Sequence, residues 1–149
     1  MLAANPVISN LLVALCLMAT CVGIHAAGLT LPLRWLRRRQ VGRRVWPSIW
    51  LFIRLAGGIV LLHLIEITVW ALFYVSRDAM PDLQSSLYFS AVTYTTTGYG
   101  DLVLPRDSQL VGAIEALTGI LMCGWSTGFF FAVVSRMFEA VSAPVDTTS

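Results

Sequence analysis

Lysine is absent from the 149 residues, and aspartate and glutamate together number only eight. Charged residues make up 12% of the chain, where a soluble domain carries about a quarter. Hydrophobic residues make up 57%. This shortage of charge excludes an ordinary water-soluble domain and points to lipid as the surrounding solvent. Cysteine is scarce as well. Cys16, Cys21 and Cys123 fall in apolar stretches, without the spacing of a zinc site or a disulfide framework. The five-residue offset of Cys16 and Cys21 puts them on different helix faces, which argues against a redox pair and for small packing residues. The start, Met1-Leu2-Ala3-Ala4-Asn5, lacks the basic n-region of a cleaved signal, so a retained helix is expected. No nucleophile, metal cluster or cofactor motif stands out in the apolar stretches. The chain is therefore not expected to be an enzyme, and no resident cofactor is expected.

What is present is three long apolar runs and one basic cluster. The first run covers residues 6–31, the second 47–75 and the third 108–138. At about 1.5 Å per residue each is long enough to cross a hydrocarbon core of about 30 Å. Pro6 suits a first helical turn, and Pro32 suits an exit from the helix. The expected organisation is a first transmembrane helix within residues 1–33, an Arg-rich loop at 34–46, and a unit at 47–138. A short polar tail at 139–149 follows; it is too short for a ligand-binding domain. Six of the ten arginines, Arg34, Arg37, Arg38, Arg39, Arg43 and Arg44, lie in the loop. A basic cluster between two apolar runs reads as an orientation signal on the cytoplasmic side, not as a nucleic-acid surface. Contact with anionic lipid headgroups is the sharper reading of the same residues. A voltage sensor is excluded, because it needs arginine at every third position inside a membrane helix.

Within the second run, Glu66 lies well inside the apolar stretch. An ionisable group at that depth costs about 3 kcal/mol or more unless it is paired or protonated. His63 is three residues earlier on the same helix face and is the expected partner. The pair is either a gating or proton-sensing element or a hydrogen-bonded glue between helices. Between the second and third runs, Leu83 to Thr95 is too short to span. Pro81 and Asp82 supply helix start signals, so a short helix is expected at 82–95. Irregular backbone follows it, which membrane depth allows only if it is buried in protein or lines an aqueous path.

That irregular segment is Thr96-Thr97-Gly98-Tyr99-Gly100-Asp101, preceded by Thr95. It resembles the selectivity filter of potassium channels, usually Thr-Val-Gly-Tyr-Gly-Asp, and the resemblance extends over residues 46–138. It implies an all-α membrane protein with three transmembrane helices, a re-entrant pore helix and a filter loop, arranged as a homotetrameric potassium-channel pore. The outer helix would be 47–75, the pore helix 82–95, the filter 96–101 and the inner helix 108–138. By resemblance, carbonyls of Thr96, Thr97, Gly98 and Tyr99 replace the hydration shell of K⁺, with the Thr96 hydroxyl adding the innermost ring. Gly98 and Gly100 supply the positive φ that alternating backbone handedness needs. Asp101 and Tyr88 would support the filter from behind, and Gly119 lies near the family's hinge glycine, with helix packing as its plainer role. Thr97 stands where the family has Val or Ile, so its hydroxyl needs a partner behind the filter.

The implied function is passive, selective K⁺ conduction. A weakly selective cation channel and a non-conducting membrane subunit are the alternatives. The pore loop of this family enters from outside, which places the Arg loop and the tail in the cytoplasm and the amino terminus outside. Arginine bias gives the same orientation from different residues. An integral protein of a plasma (inner) membrane is expected, with K⁺ ions, anionic lipids and three further copies of itself as partners. Near the outer mouth, Asp78, Asp82, Asp101 and Asp107 outweigh Arg77 and Arg106, which would concentrate cations there.

Overall fold

A computed structural model describes residues 6–38 and 49–142. Four helices carry almost all of them: α1 (Pro6–Arg38), α2 (Ile49–Ser76), α3 (Leu83–Tyr94) and α4 (Gln109–Ser142), with a single 3₁₀ turn at Arg106–Ser108 before α4. No strand occurs among the described residues. Three segments are long and apolar enough to cross a membrane: Val7–Leu31, Trp50–Ser76 and Arg106–Arg136.

The short helix α3 sits between α2 and α4, and α1 packs against both α4 and α2. The core forms around α3. Trp70 and Tyr74 of α2, Phe89 and Tyr94 of α3, Val111 and Met122 of α4, and Ala14 and Cys21 of α1 are all buried in one cluster. Tyr74 and Phe89 meet edge to face, with centroids 5.3 Å apart at 87°, the geometry that the ring quadrupoles favour. The outward faces are apolar: Leu61, Leu64, Ile65 and Leu72 on α2, and Ile120, Leu121 and Phe131 on α4, are all exposed. Only lipid or further protein covers such faces without penalty.

Two boundaries differ from those expected. Pro32 does not end the first helix; α1 continues to Arg38 and takes in Arg34, Arg37 and Arg38. Proline removes the bond to the carbonyl four residues back and crowds that carbonyl, a cost that bends or ends many helices but does not end α1. The inner helix likewise runs on to Ser142, into the expected tail. Arg39, Arg43 and Arg44 lie outside the described residues.

The helix glycines differ in what surrounds them. Within one chain, no heavy atom lies within 4 Å of where a Cβ would sit at Gly57, Gly58, Gly124 or Gly128. At Gly28 a Cβ would meet the Leu62 side chain at 2.7 Å, and at Gly119 it would meet backbone, 1.8 Å from the carbonyl oxygen of Tyr94. Only a glycine lets α4 lie that near the end of α3. Gly119 itself is inside an unbroken helix.

Candidate functional site

The site begins at the start of α3. Asp82 caps the helix, accepting the Ser85 N–H at 2.8 Å and the Ser85 hydroxyl at 3.1 Å. The backbone bond chiefly holds the Asp82 carboxyl below its usual range. At the other end, the carbonyl of Val92 accepts the N–H groups of Thr97 at 2.9 Å and Gly98 at 3.2 Å. The carbonyl of Ala91 accepts the Thr95 N–H at 3.1 Å and the Thr95 hydroxyl at 2.7 Å. The last turn of α3 thus unwinds with its orphan carbonyls occupied.

Beyond that turn the backbone changes hand at alternate residues. Thr96, Gly98 and Gly100 have φ of +58°, +56° and +78°, whereas Thr97 and Tyr99 do not have positive φ. Alternation of this kind turns successive carbonyls toward one side. Thr96 is a β-branched residue in the left-handed region, where a non-glycine residue costs about 1–2 kcal/mol. The Thr97 hydroxyl has a partner: its Oγ1 lies 2.9 Å from Oγ1 of Thr95. Tyr99 is 71% exposed, and its neighbours from Thr95 to Asp101 are also exposed in a single chain. Behind this segment, Tyr88 Oη donates to Asp101 Oδ2 at 2.6 Å, and the Leu102 N–H donates to Asp101 Oδ1 at 3.0 Å. The phenol bond chiefly lowers the Asp101 carboxyl, and the same bond raises the Tyr88 phenol.

Glu66 has partners that the sequence did not indicate. His63 Nδ1 is 3.7 Å from Glu66 Oε2, outside hydrogen-bond distance, so the expected pairing within α2 is not Glu66's main contact. His25 of α1 supplies that contact, with Nδ1 2.8 Å from Glu66 Oε1. Tyr94 of α3 donates its hydroxyl to Glu66 Oε2. Ser126 Oγ of α4 lies 3.1 Å from His25 Nε2 and 3.2 Å from His63 Nε2. His63 Nδ1 is 3.2 Å from Tyr94 Oη.

These five contacts close on themselves. The Glu66 carboxyl proton can serve His25, His25 can donate to Ser126, Ser126 to His63, His63 to Tyr94, and Tyr94 back to Glu66. With the proton on Glu66 each group donates once and accepts once, and moving that proton to His25 leaves the net charge of the set unchanged. His25 and Glu66 are fully buried, so this closure matters: one buried polar group left unpaired costs about 1–3 kcal/mol. The ring draws one or more residues from each of the four helices and includes the last residue of α3.

A second buried carboxylate, Glu115 of α4, accepts from Tyr74 Oη at 2.7 Å through Oε2. Ser90 lies beside this carboxylate, and the buried Ser86 hydroxyl has no hydrogen-bond partner among the described residues. His25, Tyr94, Ser126 and Glu115 were not singled out from sequence. A signal existed for two of them: His25 and Glu115 are ionisable residues inside apolar spans, as Glu66 is.

A family model described as "Ion channel" matches residues 58–136, more than half of the chain, and leaves α1 outside the match. Comparison with curated proteins and with solved structures gives no match.

Proposed function

The chain belongs to the ion channel family, and from that membership we propose that it is a potassium-selective channel subunit, four copies of which close one pore. The observation that carries this reading is the alternation of positive φ at Thr96, Gly98 and Gly100, directly after a capped helix. In this reading α3 is a re-entrant pore helix and residues 96–101 are the selectivity filter. Carbonyls of Thr96, Thr97, Gly98 and Tyr99 coordinate K⁺, and the rise from one carbonyl to the next lets ions pass between adjacent sites. Tyr88 and Asp101 brace the outer mouth. The exposure of residues 95–101 in one chain fits a site that three further copies complete around an axis.

The membrane orientation follows from the Arg-rich segment on the cytoplasmic side, with Arg34, Arg37 and Arg38 extending α1 toward anionic headgroups. The mouth bearing Asp78, Asp82, Asp101 and Asp107 then faces outward and attracts cations. Gly119 is the point about which α4 meets the pore helix, and bending of the inner helix there would open the inner gate. The contact of the Thr97 hydroxyl with Thr95 supports K⁺ selectivity over weak cation selectivity, because it gives the substituted hydroxyl a protein partner.

The test is ion flux from the purified protein in liposomes. K⁺ uptake blocked by barium, with Na⁺ uptake at least ~10-fold slower, is expected. Equal K⁺ and Na⁺ permeability would replace this reading with a weakly selective cation channel. A well-folded tetramer with no flux would overturn it in favour of a non-conducting subunit.

A further inference from the structure

The cluster behind α3 has a second chemistry besides hydrogen bonding. Two imidazoles and a carboxylate, His25, His63 and Glu66, converge so that one ligand atom from each lies within 4.8 Å of the others. They come from two helices and no sequence spacing joins all three. We propose that they form a binding site for a divalent transition-metal ion of the Zn²⁺ type.

Three features support it. First, the spacing fits. A tetrahedral ion with bonds of about 2.0–2.1 Å sets its ligands about 3.4 Å apart. Here His25 Nδ1 and Glu66 Oε1 are 2.8 Å apart, His63 Nδ1 and Glu66 Oε2 3.7 Å, and His63 Nδ1 and Tyr94 Oη 3.2 Å. To reach the tetrahedral value the His25–Oε1 edge opens by about 0.6 Å and the carboxylate turns so that one oxygen faces both imidazoles, with Tyr94 Oη or a water in the fourth place. Second, an outer shell is already built. Both imidazoles present Nδ1 to the centre and both Nε2 atoms lie on Ser126 Oγ, at 3.1 and 3.2 Å. With the ion bound, Ser126 Oγ would accept from both rings through its two lone pairs, so His63 exchanges the Nδ1 proton of the metal-free ring for one on Nε2 and each Nδ1 is free to bind metal. Tyr94 likewise orients the carboxylate. Third, there is a way in: His25 and Glu66 are fully buried, but the His63 side chain retains 17% of its exposure. Two imidazoles and one carboxylate select Zn²⁺-type ions over Mg²⁺ or Ca²⁺, which prefer all-oxygen shells.

The charge balance is explicit. The neutral ring holds five exchangeable protons. With the ion bound, Glu66 is a carboxylate, each histidine keeps one proton on Nε2, and Ser126 and Tyr94 keep theirs. One proton therefore leaves to solvent per ion, and the site gains one positive charge. If Tyr94 binds as phenolate, two protons leave and the site stays neutral. An ion here would join α1 to α2 directly, next to the end of α3. This site does not depend on which ion passes the filter.

The experiment uses the full chain without a histidine tag, purified in detergent and stripped with a chelator. Co²⁺ and Zn²⁺ alone are the probes. Wild type is expected to take up one ion per chain at micromolar concentration, and bound Co²⁺ is expected to give the intense visible bands of tetrahedral coordination. H25A and E66Q should weaken binding at least ~10-fold. S126A, which removes only the outer contact, should weaken it about 10–100-fold while keeping the tetrahedral spectrum. An absent or weak octahedral Co²⁺ spectrum in wild type overturns the proposal, even if a variant fails to fold. Equal uptake by wild type and well-folded H25A also overturns it. K⁺ flux measured on the same preparation is a separate readout, so failure of the metal site and failure of the channel reading are distinguishable.

Discussion

Tyr94 and Thr95 are adjacent in the chain and opposite in circumstance. Tyr94 is 1% exposed and belongs to a closed set of hydrogen bonds drawn from four helices. From Thr95 onward the backbone is exposed, and few side chains hold it. The first region is finished within a single chain; the second presents carbonyls that one chain does not use. In the proposed channel this difference separates what holds the scaffold from what meets the ion. Buried polar side chains lock the end of α3, and the locked end sets the direction in which the irregular segment leaves it.

The comparison breaks most completely at Gly98. Its φ of +56° makes Gly98→Ala cost about 1–2 kcal/mol per chain, a penalty that the proposed fourfold assembly would multiply. Liposome K⁺ flux is expected to fall to background with the helical content unchanged. Retained flux would mean that the open segment is not the ion path.

Breaking the closed side is expected to act on stability instead. Glu66→Ala leaves His25 and Tyr94 buried without their partner, a loss of about 3–5 kcal/mol for one member of a buried pair. The unfolding midpoint in detergent should fall well below wild type. Glu66→Gln, which keeps the shape and one acceptor, should fall less. Equal midpoints for wild type and Glu66→Ala would show that the ring contributes nothing to the scaffold.

Gly119 is the contact between the closed end of α3 and α4. Gly119→Ala places a methyl group 1.8 Å from the Tyr94 carbonyl oxygen and should cost about 1–3 kcal/mol as α4 is pushed away. Gly124→Ala, one turn further with open space beside it, is the matched control. If both lower the midpoint equally, contacts between chains rather than the α3–α4 contact control the effect.

The smallest change is expected at the outer edge of the open region. Tyr88→Phe removes the phenol that chiefly lowers the Asp101 carboxyl. A carboxyl whose folded-state value lies below its unfolded value contributes stability above the unfolded value and loses it as pH falls through the folded one. Wild-type flux should therefore persist as pH falls through the ordinary carboxylate range and decline only below it. In Tyr88→Phe the decline should move up toward that range, while flux at neutral pH changes little. An unmoved acid limb would remove Asp101 from the support of the filter.

The open region was largely legible in the sequence and the closed one largely was not. Asp82 and Pro81 announced the start of α3, and the glycines announced where the backbone would change hand, because caps and positive φ are local properties of the chain. Glu66 was legible as an anomaly, but its partner was not. His63, three residues away, was the only candidate visible along one helix, whereas His25 precedes Glu66 by 41 residues. In a membrane an apolar run shows no contrast between the face that packs and the face that meets lipid, so the facing of α1 against α2 leaves little trace in the pattern. Pro32 misled because a proline biases a helix toward ending without forcing it to, and α1 continues through it to Arg38.

The hydrogen bond from Asn10 Nδ2 to the carbonyl oxygen of Asp107, at 2.6 Å, fastens the start of α1 to the turn that leads into α4. His25 fastens the same helix a further four turns along. A helix secured at two heights is not an appendage that can be trimmed to recover a simpler module. Cutting the chain back to the matched residues 58–136 would leave an acid in the core without its base and a loop without its tether. Grafting the matched unit into another protein, or fusing a domain ahead of it, must therefore carry α1 as an integral part of the design.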